Sequence, residues 1–485
     1  MGKALKRKGD NNMKKMKKLF AVLLTLAMVL GMSMTTFAAD PKVQIKLSGL
    51  DDASTVEILQ IIEPNTSTTS GWAFVNGAGA KYAEAYGVED TAANEQAIIW
   101  GLIKYQNSSV KLPTGVTTIS ADATKIATAL QKVESLTGFV NTDTKTTTEV
   151  SVAGVYAIKA TGDNYTYKTM SAYVGFGDVE NANYPTLTGT EVTAKKSPAT
   201  VVKTTKDDDN AVAIGDIVTY EIETYVPVID PTKAENRTFT VTDKITGADY
   251  YLSGTGAIKK VTVAGEDKTT DFDIVPTGNT FTVNFDSLVA SLSNDNAGKK
   301  IVITYTAKVT AVTVENTAIG HSTDKNMSGN TVNLYTGSIE LTKVDANKTS
   351  KGLAGATFNV FKDGVSTSLK FTKESNGVYK YDPENGSADI VTADGGKLVV
   401  KGLDKGSYHF KETVAPEGYS INTDGLTVNL TYDGDKATAN FESKGDSNVV
   451  KDSTLSALPA TGGIGTTIFT IAGCVIMIAA AGLFF

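Results

Sequence analysis

Ile301-Val-Ile-Thr-Tyr-Thr-Ala-Lys-Val309 decides the fold class. Ile301, Ile303, Tyr305, Ala307 and Val309 share one parity, and Val302, Thr304, Thr306 and Lys308 the other. Period-two alternation of this kind marks a strand with one buried face. Val218, Tyr220 and Ile222 repeat the pattern upstream, and Val43, Ile45 and Leu47 repeat it near the start. Gly, Asp and Asn separate the runs and supply turns. Residues 195–335 therefore predict an immunoglobulin-like β-sandwich, and 336–443 a second sandwich of similar character. Residues 40–194 differ, because helices are predicted over Ala97–Tyr105 and Ala121–Leu136. Ser120 would cap the second helix and Gly138 would stop it. The chain is thus expected to be mainly β, with tandem sandwiches behind an α+β domain.

Bulk properties narrow the function. A chain of 485 residues is long enough for about three domains. Its formal charge of −7 argues against a nucleic-acid partner, which would need a basic face. Two histidines, His321 and His409, stand in no metal-binding or triad spacing, so neither an enzyme site nor a metal site is expected. The single cysteine, Cys474, permits no internal disulfide, and another kind of link would have to staple the domains.

The ends carry an address. Lys14, Lys15, Lys17 and Lys18 precede an apolar run from Leu19 to about Met34, followed by small residues at Ala38 and Ala39. That order reads as a signal peptide over residues 1–39, and hence as a secreted chain. Residues 444–457 are polar and are expected to be a linker. Leu458-Pro459-Ala460-Thr461-Gly462 follows at 458–462, and 463–485 carries no charge, as a transmembrane helix would. These residues resemble a sortase sorting signal, LPxTG before a hydrophobic segment. The resemblance implies cleavage between Thr461 and Gly462 and transfer of the Thr461 carbonyl to an amine.

Strand parity also turns charges inward. Ile339, Leu341 and Lys343 share a face, as do Tyr408, Phe410, Glu412 and Val414. In the preceding domain Lys203 follows Val201, Asp243 follows Phe239 and Val241, and Asn330 aligns with Val332 and Leu334. A lysine on a core face is expensive unless it is paired or neutral. An ordinary buried ion pair is one outcome.

The segments Leu341-Thr-Lys-Val-Asp345, Leu353-Ala-Gly-Ala-Thr-Phe358 and Glu412-Thr-Val-Ala-Pro-Glu-Gly-Tyr419 resemble the B-type repeat domain of collagen-binding adhesins and pilins. The preceding domain resembles their A-type counterpart. The resemblance implies self-formed Lys–Asn isopeptide bonds, Lys343 to Asn440 assisted by Glu412 and Lys203 to Asn330 assisted by Asp243. Asn316, which shares parity with Val312 and Val314, is the reserve partner for Lys203. Burial supports such chemistry, since it favours a neutral amine as nucleophile and a neutral carboxyl as proton donor.

Backbone pilins carry an acceptor lysine at the end of the first domain. Glu191-Val-Thr-Ala-Lys-Lys-Ser197 is the matching segment, which nominates Lys195 first and Lys196 second. The resemblance implies a wall-anchored backbone pilin. Its partners would be pilus-specific and housekeeping sortases, further copies joined head to tail, accessory pilins, peptidoglycan and host-surface ligands, with no cofactor. The competing expectation is a monomeric wall-anchored adhesin or tip pilin.

Overall fold

The computed structural model describes residues 42–180, 182–206, 209–230, 236–442, 448–455 and 465–484. The expected signal peptide and the 458–462 motif lie outside the described residues. The chain divides into two compact units. One runs to Thr161 and adds Lys168–Lys195, and the other holds Gly162–Tyr167 and the chain from Lys196 onward.

The first unit is α+β. One sheet joins Thr147–Val150, Val43–Ser48 and Thr190–Thr193; the larger one centres on Thr55–Pro64 and Gly154–Thr161. Helices span Ala78–Tyr86, Ala92–Gln106 and Ala123–Val133. Asp122, not Ser120, caps the last of these, because its side chain accepts from the Lys125 amide. The helix at Ala78–Tyr86 was not expected from the sequence. It starts at Gly77, where a φ of 82° suits glycine, and its alanines give no apolar stripe to read.

The second unit contains two β-sandwiches with separate cores. In the first, a six-stranded sheet carries Val202–Thr205 at its edge, beside Ile217–Tyr225 and then Lys300–Val309. The facing sheet centres on Phe239–Thr246 and Thr313–Ser322. Tyr220, Ile222, Val241, Ile303 and Tyr305 are fully buried between the two sheets, as the alternation requires.

In the second sandwich, Gly337–Asp345 pairs with Lys397–Leu403 on one side. On the other it pairs in parallel with Val449–Asp452. The facing sheet runs through Thr357–Lys362, Gly406–Val414, Leu426–Asp433 and Lys436–Glu442. The linker expected over 444–457 is therefore corrected, since Val449–Asp452 is a strand whose Val450 and Asp452 point into the core. A four-residue strand in polar surroundings has too short a period to stand out.

The chain ends in a helix, Gly465–Phe484. Among the described residues no helix is long and apolar enough to cross a membrane, and the span expected over 463–485 runs past them at both ends.

Candidate crosslinking sites

The edge strand Val202–Thr205 turns Lys203 inward, 1 % exposed, opposite Ile222. Its Nζ donates to Asp243 Oδ2 and, at 2.5 Å, to the Tyr305 hydroxyl. Asp243, on the facing sheet, is fully buried. Its Oδ1 accepts from the Tyr250 and Tyr305 hydroxyls at 2.8 Å each. The rings of Tyr220 and Tyr305 both lie 4.9 Å from the amine. Burial pulls the Lys203 amine down from 10.5 to about 8, against the opposing pull of Asp243. Burial and the Asp243 carboxylate hold the Tyr305 hydroxyl well above its ordinary value, so it stays protonated.

Asn316 is the carboxamide that reaches this site. It is fully buried on Thr313–Ser322, and its Nδ2 donates to the Tyr305 hydroxyl at 2.8 Å. Its Oδ1 is buried with no hydrogen-bond partner among the described residues. An orphaned core oxygen is costly, which suits a group held for reaction.

Asn330 is corrected. It is exposed just before its strand begins at Thr331. Its Oδ1 accepts from the Lys203 amide at 2.6 Å, and its Nδ2 donates to the Lys203 carbonyl at 2.8 Å. An asparagine amide carries the same donor and acceptor as a peptide group, so Asn330 pairs the open edge of the Lys203 strand and does not meet the amine.

The last sandwich builds a second cluster. Lys343 is fully buried, and its Nζ donates to Glu412 Oε2 at 2.9 Å and to Asp452 Oδ1. Glu412 comes from the facing sheet and Asp452 from the strand beside Lys343. Burial raises the Glu412 carboxyl above the ordinary carboxylate range, against the Asn422 amide at 2.7 Å and the Lys343 amine. Glu412 Oε1 and Asp452 Oδ2 are buried without hydrogen-bond partners among the described residues. One amine thus faces two carboxyl groups, with the Phe358 ring 5.6 Å from it.

Asn440 is corrected as well. It is exposed on the outer strand Lys436–Glu442 and, among the described residues, its side chain donates only to Thr431 Oγ1, at 3.3 Å. Its parity, opposite to Ala437, Ala439 and Phe441, already turned it outward. Sequence reasoning missed Asp452, Tyr250 and Tyr305. Both Tyr220 and Tyr305 were counted as apolar, and only their position beside an inward lysine could have marked their hydroxyls.

Of the two acceptor candidates, Lys195 is exposed. Lys196 is half-buried, and its Nζ lies 4.0 Å from the centre of the Tyr165 ring.

Residues 337–445 match the prealbumin-like fold domain SpaA, and 450–485 match the LPXTG cell wall anchor motif. The chain is 26 % identical over 469 residues to the trypsin-resistant surface T6 protein of Streptococcus pyogenes serotype M6, covering 87 % of this chain and 79 % of that one. Its fold resembles the solved T6 backbone pilin of the same organism, with a TM-score of 0.51 and 17 % identity over 87 % of this chain and 100 % of that one. The major pilin SpaD of Corynebacterium diphtheriae aligns with a TM-score of 0.47 and 16 % identity, over 87 % and 99 %. A SpaA-type domain next to an LPXTG anchor motif, in a chain similar over most of its length to the T6 protein and to the fold of the T6 backbone pilin, supports a sortase-assembled, cell-wall-anchored major pilin.

Proposed function

We propose that the chain is the structural backbone subunit of a covalently polymerised pilus, with each β-sandwich locked by one self-formed isopeptide bond. In the first sandwich Lys203 Nζ attacks Cγ of Asn316 under Asp243, and ammonia leaves. In the second, Lys343 Nζ attacks Cγ of Asp452 under Glu412, and water leaves. The carrying observation is that each core buries one lysine amine against a carboxyl group and a second acyl donor on different strands. Left unreacted, each cluster would hold desolvated charge for little net gain. Each reaction happens once, so the protein is not an enzyme in the turnover sense.

The domains of this reading are 40–194, 195–335, and 336 through the strand that ends at Asp452. Subunits join when a sortase transfers the Thr461 carbonyl to the exposed Lys195 amine of another copy. Partners follow: sortases, further copies of this chain, accessory pilins and peptidoglycan. Wall extracts from cells expressing the protein should show a ladder of high-mass, SDS-resistant species. Lys195→Ala should collapse the ladder to one band, while Lys196→Ala retains it. A single band from the unaltered chain would favour an anchored monomer.

The intact secreted ectodomain should be lighter than its sequence by about 17 Da for ammonia and about 18 Da for water. An Asn316→Ala chain should keep the ammonia mass and leave Lys203 as a titrating amine. Its folded-state value, about 8, lies below the 10.5 of the unfolded chain. The unfolded chain therefore binds the proton more tightly between those values, and folded-state stability rises with pH across that window. The gain relative to the unaltered protein is on the order of 3 kcal/mol. Urea melts of both proteins at pH 8 and pH 10.5 measure it, and parallel curves would sink the buried-amine assignment.

A further inference from the structure

Among the described residues, the Tyr305 hydroxyl is the one group that touches all three members of the first cluster. It accepts from Lys203 Nζ at 2.5 Å and from Asn316 Nδ2 at 2.8 Å, and it donates to Asp243 Oδ1 at 2.8 Å. Its strand pairs Tyr305 with Tyr220, in the sheet that also carries Lys203, while Asp243 and Asn316 belong to the facing sheet. The hydroxyl therefore spans the gap that the bond must cross. Packing fixes the ring. Phe281 meets it edge-on at 5.1 Å between centroids, Tyr220 stacks at 5.6 Å, and Tyr250 lies at 5.7 Å.

Amide exchange sets a demand that a single carboxyl meets poorly. The attacking nitrogen must lose protons, and the leaving nitrogen must gain one, because an amide anion does not depart from an acyl carbon. We propose that Tyr305 is a catalytic residue of the Lys203–Asn316 reaction, its hydroxyl relaying a proton from the attacking amine to the departing carboxamide nitrogen. The proposal rests on the crosslink reading above.

The steps balance. The Lys203 ammonium gives its first proton to Asp243, and the neutral Nζ bonds to Cγ of Asn316. Protonated Asp243 is then a poorer acceptor, which frees the Tyr305 proton to turn away from it. In the tetrahedral adduct Nδ2 is no longer conjugated and has a lone pair to accept that proton. Nζ passes a proton to the Tyr305 oxygen as the tyrosine proton moves to Nδ2. The Cγ–Nδ2 bond breaks, ammonia leaves and removes the Asp243 proton as ammonium, and both side chains return to their starting forms. The Lys343 cluster has no tyrosine in contact with its amine among the described hydrogen bonds. There the departing group is an oxygen, and a carboxyl can supply its proton.

Cell-free synthesis of the ectodomain, stopped at intervals and read by intact mass, tests the relay. The unaltered chain should lose about 17 Da at the first site, and Tyr305→Phe should slow that loss by about 10²-fold. Loss of about 18 Da at the Lys343 site of the same molecules should keep its rate and serves as an internal control for synthesis and mass assignment. Synthesis in deuterium oxide should slow the unaltered reaction by about twofold or more, a readout that needs no variant to fold. Equal rates for Tyr305→Phe and the unaltered chain, or no deuterium effect, would overturn the relay. An unaltered chain that never loses the ammonia mass would remove the crosslink itself, and a distinct result separates the two failures.

Discussion

An Asp243→Ala chain keeps the full mass of its first sandwich and loses most of that domain's stability. The substitution deletes the only carboxylate that, among the described residues, contacts Lys203 Nζ, and leaves the Tyr250 and Tyr305 hydroxyls without their shared acceptor. Removing one partner of a buried charge pair costs about 3–5 kcal/mol. Without the acid no bond forms, so a loop of about a hundred residues stays open, which costs a further 4–5 kcal/mol or so by the chain-entropy argument. Together these approach the whole stability of an ordinary domain, about 5–15 kcal/mol. Thermal unfolding should show the first sandwich melting far below the second, while the water loss at Lys343 persists. An unchanged melt would sink the assignment. Asn330→Ala makes the contrast, because it strips a strand edge of two hydrogen bonds and should leave the ammonia loss complete.

Glu412→Ala should leave Lys343 and Asp452 in contact and unjoined. The pair stays electrically balanced, so the domain still folds, but no neutral acid remains to move protons at the acyl carbon. Loss of a positioned proton carrier slows such a step by about 10²–10⁴-fold. The ectodomain should lack the loss of about 18 Da from its own sequence mass at this site and be less stable by roughly 4–5 kcal/mol. Glu412→Gln preserves shape and should fail in the same way, whereas Asn440→Ala should change neither the water loss nor the melting. A full water loss in Glu412→Ala would show that the carboxyl has no part in the bond.

Where a single strand could be read by itself, the sequence was sufficient. The alternation around Ile303, Ile222 and Leu341 gave the sandwiches, and the same counting turned Lys203, Asp243, Lys343 and Glu412 inward, where the structure has them. The partners were harder. Counting back from Leu334 and Val332 reached Asn330, but the strand stops at Thr331 and parity has no meaning beyond it. Asn316 was open to the same counting and stood in reserve through its parity with Val312 and Val314; the structure buries Val314 and Ala318 two positions to either side of it. Asp452 was invisible to any local rule. Its strand is four residues long, and what orders it is parallel pairing with a strand more than a hundred positions earlier. Non-local pairing of that kind leaves no periodic trace.

The parallel pairing of Gly337–Asp345 with Val449–Asp452 also decides what the rest of that sandwich is exposed to. The chain enters at Gly337, and the proposed bond from Lys343 to Asp452 would give a covalent route out that skips residues 344–451 altogether. A host protease that nicked the turn at Asp363-Gly364, or the hairpin at Asp433–Lys436, would cut the polypeptide without severing the filament. Those surface loops would then carry none of the pull passed along the chain.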